Sequence, residues 1–579
     1  MLDSIIIVPE GVKLTLESST QDKGTMKNAH YHKLGVTFQD GGGAICNKGH
    51  LKVDNMNFLN NKVCEVNNSG GAIYSFSDNS ESCSMTIENS NFDNNVAEQE
   101  GGGAISAWMK YGDITINGCR FTFNHCEIDG GAINTNHAHL KVSNSYFANN
   151  YAIEFGGAIR HDNDLDFQPL KVESSTFEYN HAGPKENNTS GGAIYAFSGI
   201  EIKSSKILHN SCITTEDNDS VGGGIYSGYT SLIDDDVEIA FNSAGNSGGG
   251  VCMRFGEPFT TIKGADIHDN TSSVGAGVFF REGAVKLVGT KIHDNIGSGV
   301  ANFASPPSSG LILSGQVKIY NNIPKETNGR SVDLSLASAL RDSLMCLVEF
   351  DNFTPAQGDK LNFILNDCSG EEIIESSGVL TSGYKAAFPG AGLFDHFVYV
   401  GNNGVQLFNN DGEIVLHKHT WVLSEEDEDT IQAHCTNEDD FFDCPYKEGH
   451  PVKLQILAKD VPYDGAEHPA SLTNGFTGVV GDAKISAISY EGVDSTQYAE
   501  STIAPTEVGK YKSKIVVTSA EGEEFNASTT FSITESPVMN IPATGDIALV
   551  VFALFVVALL TSIIISKKNY KYTNLLYFR

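Results

Sequence analysis

Four side chains in one short stretch have the chemistry of metal ligands: His417, His419, Cys435 and Cys444. Two imidazoles with two thiolates are a donor set for tetrahedral zinc. In a chain bound for the oxidising exterior, the same cysteines suit a Cys435–Cys444 disulfide closing a short loop, and that pairing is the expectation. Carboxylates supply the other candidate chemistry. Asp162, Asp164 and Asp166 follow His161 at alternate positions, and Asp234, Asp235 and Asp236 are consecutive. Oxygen-rich loops of this kind are candidate Ca²⁺ sites. Acids converging on a groove are also what a polysaccharide lyase or glycoside hydrolase needs. No Arg or Lys stands beside them at a telling spacing, so no residue is assigned as catalytic. His268/Asp269 and His293/Asp294 occupy matching slots in adjacent repeats, where they should sit one above the other.

The elements that must position these groups belong to a repeat filling residues 40–325. One phrase is Gly-Gly-Ala-Ile, at Gly42–Ile45 and again from Gly70, Gly102, Gly130, Gly156 and Gly191, then in looser form from Gly222, Gly248, Gly275 and Gly297. The other is an apolar residue, two others, then Asn. Its copies are Phe58/Asn61, Phe92/Asn95, Phe121/Asn124, Phe147/Asn150, Phe177/Asn180, Ile207/Asn210, Ile239/Asn242, Ile267/Asn270, Ile292/Asn295 and Ile319/Asn322. Seven residues before each Phe or Ile a short alternating strand begins, at Leu51, Met85, Ile114, Leu140, Leu170, Ile200, Leu232, Thr260, Val285 and Ile312. Alternation marks strands with one buried face. A fixed corner between strands, with free loops elsewhere, is what a coil of stacked rungs produces. The repeat, roughly 22–35 residues long, is one turn of a parallel β-helix with three short strands. Parallel crossovers make it right-handed. The expected fold is all-β: a right-handed parallel β-helix of about ten or more rungs.

The alternation of Gly-Gly-Ala-Ile with Phe-x-x-Asn resembles the repeat of the chlamydial polymorphic outer-membrane proteins and of related bacterial β-helical surface proteins. The resemblance covers about half the chain. It implies a surface-displayed adhesin, although the shared positions are scaffold. The autotransporter barrel of that family is not seen here, so its export route is not expected.

Lys and Arg number 38 against 72 Asp and Glu, a net charge of −34. Such a chain repels phosphate backbones, so no nucleic-acid partner is expected. Among 11 cysteines, Cys46 and Cys252 share one slot after the Gly-Gly phrase, and buried thiols stacked in the core are the expectation. Residues 1–10 lack a basic n-region and a long apolar core, so a start upstream is expected. Val12–Leu16 reads as a lead-in rung.

Beyond the coil, 326–416 reads as degenerate terminal rungs or a cap, and 417–450 as a cysteine-containing connector. Residues 451–535 resemble a small bacterial immunoglobulin-like β-sandwich of wall-anchored adhesins, including mucin-binding ones. Ile541-Pro542-Ala543-Thr544-Gly545, in the linker 536–546, resembles the Leu-Pro-x-Thr-Gly sorting signal of Gram-positive wall proteins, with Ile in place of Leu. It implies that a sortase cuts between Thr544 and Gly545 and joins Thr544 to peptidoglycan. Residues 547–566 are uncharged and long enough for a transmembrane helix, and 567–579 form a basic cytoplasmic tail. The expected protein is a cell-surface adhesin, wall-anchored or single-pass, presenting loops to a host glycan, mucin or protein. The alternatives are a surface-anchored lyase or hydrolase, and a purely structural stalk.

Overall fold

The computed structural model describes residues 5–536 apart from 20, 32–40, 65–68, 79–82, 100, 186–187, 215–219, 303–309, 325–330, 338–347, 356–359, 367–377, 390–395, 401–404, 438–441 and 481–482. The chain divides into two compact units. One comprises Met1–Val422, Ala433–Val452 and Phe476–Asp482; the other comprises Leu423–Gln432, Lys453–Gly475 and the residues from Ala483 on.

The first unit is a right-handed parallel β-solenoid. Matching phrases fall in register on successive turns. Phe92 pairs with Phe58 and Phe121, Ile105 with Ile73 and Ile133, and Met85 with Leu51 and Ile114. The lead-in rung is present, with Leu14 against Leu51 and Leu16 against Val53. Most turns contribute four strand segments where three were expected. The extra one lies between the Asn and the next Gly-Gly, as in Lys62–Val63, Val96–Ala97 and His125–Cys126. These three are two residues long and bury the second side chain, which is too short a stretch for alternation to show.

Two stacks run along the interior. Phe58, Phe92, Phe121, Phe147 and Phe177 lie face to face with centroids 4.6–4.7 Å apart, a spacing that matches the rung repeat. The corner asparagines form the second stack. Asn150 Oδ1 accepts from both the backbone N–H and the side-chain amide of Asn124, at 3.1 and 2.9 Å. Its own amide donates to Phe121 O (3.0 Å) and to Asn180 Oδ1 (2.9 Å). The same pattern links Asn61 through Asn322, with every member buried. Beyond Asn322 the acceptor is Asp333, whose other oxygen takes the N–H of Asn362. Burial pushes the Asp333 carboxyl up to about 6, against the hydrogen bonds from Asn362, Asn322 and Ser331.

The glycine pair serves two needs. Gly130 has φ +63°, and a Cβ on Gly131 would lie 2.1 Å from Gly157 O on the next turn. The seven-residue corner, by contrast, is not invariant. Ile233 pairs with Ile202 and Leu313 with Leu287, so the inward positions are Ser231/Ile233 and Leu311/Leu313. Leu232, taken from the sequence as inward, is 36% exposed. One extra corner residue in each of these rungs moves the alternation to the other face.

Parallel pairing continues past residue 325. Leu334 pairs with Val300 and Phe363, Val348 with Leu311 and Thr381, and Phe397 with Leu361. An antiparallel sheet of Gly378–Val379, Glu413–Lys418 and Val405–Asn410 follows. Tyr384, Phe388, Phe397, Ile414 and Leu416 close the apolar core.

The second unit is all-β. Its residues 423–427, 430–432, 453–457 and 471–474 lie in one sheet. The other is built on the antiparallel pair Gly509–Thr518 and Glu524–Thr534. Tyr511, Ile515, Val517, Phe531 and Ile533 are among its buried side chains. Leu423–Gln432, read from the sequence as connector, belongs to this unit, with Glu425 accepting from Asn526 N–H at 2.7 Å. The sorting pentapeptide Ile541–Gly545, the apolar run 547–566 and the basic tail lie outside the described residues. Among the described residues no helix is long and apolar enough to cross a membrane.

Two outcomes are expected. Asn150→Ala leaves two buried donors of Asn124 without an acceptor and lowers stability by at least about 2 kcal/mol. Lys171→Ala, on the outer face, changes stability by less than about 1 kcal/mol; chemical denaturation of both variants checks this. The raised Asp333 carboxyl means that folding favours its protonated form. Its contribution is complete below the unfolded value near 4 and is lost as pH rises through about 6. Asp333→Asn should therefore gain melting temperature relative to the parent between pH 4 and pH 7; a constant difference would contradict this.

Candidate functional site

The four ligand-type residues come together. His417 ends the strand Glu413–Lys418, His419 follows it, Cys435 ends Thr430–Cys435, and Cys444 enters a turn. Backbone hydrogen bonds fix this arrangement: Cys435 N–H donates to Tyr446 O at 2.8 Å and Thr436 N–H to Thr420 O at 2.9 Å. Cys435 Sγ lies 3.4 Å from His417 Nε2, and Cys444 Sγ lies 3.6 Å from His419 Nδ1. All four residues are buried, and one ligand atom from each falls within 4.8 Å of the others. Phe408, Phe442, Trp421 and Tyr446 pack around the two imidazoles. The two cysteines expected to form a disulfide are not bonded to each other here, and each is turned to a histidine. Burial raises the Cys435 thiol, but hydrogen bonds from His417 and His419 outweigh it and bring the group down to about 5.

The candidate Ca²⁺ carboxylates do not converge. Asp162 pairs with Arg160 at 2.8 Å, Asp164 lies 2.7 Å from His137 Nδ1, and Asp166 lies 2.9 Å from His139 Nε2. Burial opposes the Asp166 charge, yet hydrogen bonds from His139 and Gln168 hold its carboxyl below the ordinary value. Asp234 and Asp235 share Lys263, at 3.0 and 2.7 Å, and Asp236 takes a left-handed turn at φ 60°. The basic partners missing from the local sequence arrive from neighbouring strand positions and neighbouring rungs. They tie up five of these six acids. Among the described residues, the His/Cys quartet is the one group whose ligand atoms meet.

The cysteines of the coil are free thiols among the described residues. Cys83 and Cys119 lie in the core, where burial pushes them up to about 12 and about 11. Cys252 is on the other side of the wall, in a separate cluster with Tyr226, Phe279 and Ala301. The slot it shares with Cys46 therefore faces away from the stack expected for it.

The outer corner carries a feature not read from the sequence. Tyr179, His209 and Phe241 each stand immediately before a ladder Asn, in left-handed backbone, and stack at 4.9 and 4.7 Å. His268 meets Phe241 edge-on at 5.7 Å, His293 stacks on His268 at 5.1 Å, and Tyr320 stacks on His293 at 4.9 Å. The two His-Asp slots thus sit one above the other, as their matching positions required. His293 is held by Asp266 (2.9 Å) and Asp294 (2.7 Å), and its hydrogen bond keeps the Asp294 carboxyl below the ordinary value. Tyr179 is 54% exposed and Phe241 46%, so this stripe of six rings is a surface and not a core. The signal was available: read down the repeats, the residue before the ladder Asn gives Tyr179, His209 and Phe241, and the residue two before it gives His268, His293 and Tyr320. Elsewhere on the coil Trp108 stacks on Phe76, Tyr195 on Tyr226, and Tyr229 packs against Phe167.

The family model of the Chlamydia polymorphic membrane protein repeat matches residues 174–196. That window runs through Phe177 and Asn180 to Gly191-Gly192-Ala193-Ile194, one full pairing of the two phrases. Residues 174–196 are similar to that repeat. The match covers one copy, and strand register places the other copies on the same wall positions. No curated protein and no solved structure matches the chain. A β-helical protein of surface type is the class these repeats support.

Inside and outside positions of one strand should respond differently. Phe177→Ala, in the interior stack, is expected to cost about 3–5 kcal/mol. Tyr179→Asn keeps a residue that tolerates left-handed backbone and should cost less than about 1 kcal/mol. Denaturant titration of the two variants tests the assignment.

Proposed function

We propose that this protein is a surface-displayed binding protein of the adhesin kind, with the coil as its ligand-facing part. The ring stripe carries the reading. Rings stacked on one another satisfy each other's faces and offer solvent a comb of edges repeating at the rung spacing, about 4.8 Å. The exposed edges contribute little to holding the coil, whose core lies on the other side of the wall. An extended host glycan, mucin or protein segment lying along the axis can meet several edges at once. The insertions Asn61–Gly70, Gly70–Met85, Gly156–Leu170, Asn180–Gly191 and Asn210–Gly222 add variable contacts at turn ends, where repeat proteins gather binding residues.

In this reading the second unit is an immunoglobulin-like spacer. The Ile541–Gly545 pentapeptide is a sortase signal that joins Thr544 to peptidoglycan, after the 547–566 helix has held the chain in the membrane. The pairing of five of the six candidate acids with basic side chains supports binding without cleavage.

The test uses the full-length chain against immobilised mucin, glycosaminoglycans and host surface proteins, with each sample also assayed for new reducing or unsaturated ends. Tyr179→Asn combined with Phe241→Asn should weaken binding at least about tenfold, or 1.4 kcal/mol, with melting temperature retained. Unchanged binding would remove the stripe from the reading. New chain ends would replace the adhesin by a glycan-degrading enzyme.

A further inference from the structure

We propose that His417, His419, Cys435 and Cys444 hold a structural zinc ion. Zinc bound tetrahedrally has Zn–S near 2.3 Å and Zn–N near 2.0–2.1 Å, which places sulfur and nitrogen ligands about 3.6 Å apart. The two S···N separations here are 3.4 and 3.6 Å, and the remaining separations stay within 4.8 Å. The four atoms therefore already outline a slightly expanded tetrahedron. A disulfide needs its sulfurs near 2.05 Å, facing each other; here each sulfur faces an imidazole.

The surroundings favour an ion over a plain hydrogen-bonded cluster. His419 is 6% exposed, and its Nε2 has no hydrogen-bond partner. The polar engagement of that buried ring is with sulfur at Nδ1, a weak partner for a group taken out of water. A Lewis-acidic cation among the four atoms compensates all of them at once. Two thiolates with two imidazoles select zinc over Ca²⁺ or Mg²⁺, which require oxygen ligands. Four protein ligands leave no open position for water or substrate, so the role is structural.

The ion would pin three segments distant in sequence: the end of the strand Glu413–Lys418, the end of Thr430–Cys435, and the turn around Cys444. The backbone bonds of Cys435 and Thr436, and the packing of Phe442 and Tyr446 on the two imidazoles, already bring these segments together. The spacing is His-x-His, fifteen residues, Cys, eight residues, Cys.

The full-length protein, purified without chelators, should contain one zinc per chain by elemental analysis. A chelator strong enough to remove it should lower the melting temperature and open Cys435 and Cys444 to alkylation, and added zinc should reverse both effects. Cobalt in its place should show the visible bands of a tetrahedral site with thiolate charge transfer. Cys444→Ser should lose the metal, while Cys64→Ser, in the coil, keeps it. Because the first variant could misfold, chelation and refilling of the unaltered chain are the deciding measurements. A zinc-free native protein whose peptide mass shows a Cys435–Cys444 bond would overturn the proposal, as would an octahedral cobalt spectrum.

Discussion

The buried amide ladder from Asn61 to Asn322 is the constraint on which the coil depends. Each amide occupies a corner where the backbone turns away from regular pairing, and where N–H and C=O groups would otherwise be buried without partners. One side chain per rung satisfies the corner backbone of the preceding rung and reaches the amide of the next. This works only if every rung presents its Asn at the same height. The chain can therefore vary the segments between these corners but not the Phe/Ile-x-x-Asn corner that carries the amide.

The other regularities follow from that height. Phenylalanines held at rung spacing have their faces at stacking distance, so the five-ring column needs no further specification. The same spacing brings Gly131 so close to the carbonyl of Gly157 that a side chain has no room. On the outer surface it aligns unlike residues into columns: Lys171 over Glu201, and Tyr179 over His209 over Phe241. Inside, the columns hold the fold together. Outside, they are free to serve as a ligand surface.

Much of this was legible because the informative residues recur. Phe-x-x-Asn and Gly-Gly-Ala-Ile report a corner and a close approach that the physics forces on every turn. The misses come where a single residue decides. Nothing at Leu232 or Ile312 distinguishes an eight-residue corner from a seven-residue one, because each has an apolar neighbour able to take the inward slot. The partners of Asp162, Asp164 and Asp166 are Arg160, His137 and His139; two of them come from the preceding turn, which local spacing cannot reveal. Cys435 and Cys444 read as a disulfide from compartment alone. Only the placement of His417 and His419 against each sulfur distinguishes the two chemistries. Within the second unit, alternation identified strands, but the affiliation of Leu423–Gln432 depends on contacts a hundred residues away.

The amide ladder also has a direction. From Asn61 onward each amide donates one side-chain N–H to the oxygen of the later Asn, and each side-chain oxygen accepts from the earlier one, so the amide-to-amide chain is polar from end to end. A polar stack can go on recruiting identical units, which is how cross-β assemblies grow. Asp333 halts this one. Having no proton to pass on when ionised, its carboxylate receives Asn322 on one side and the Asn362 N–H on the other. The two sides then face each other donor to donor through one acceptor, and the one-way sequence of bonds stops there. A single carboxylate thus fixes the length of the column.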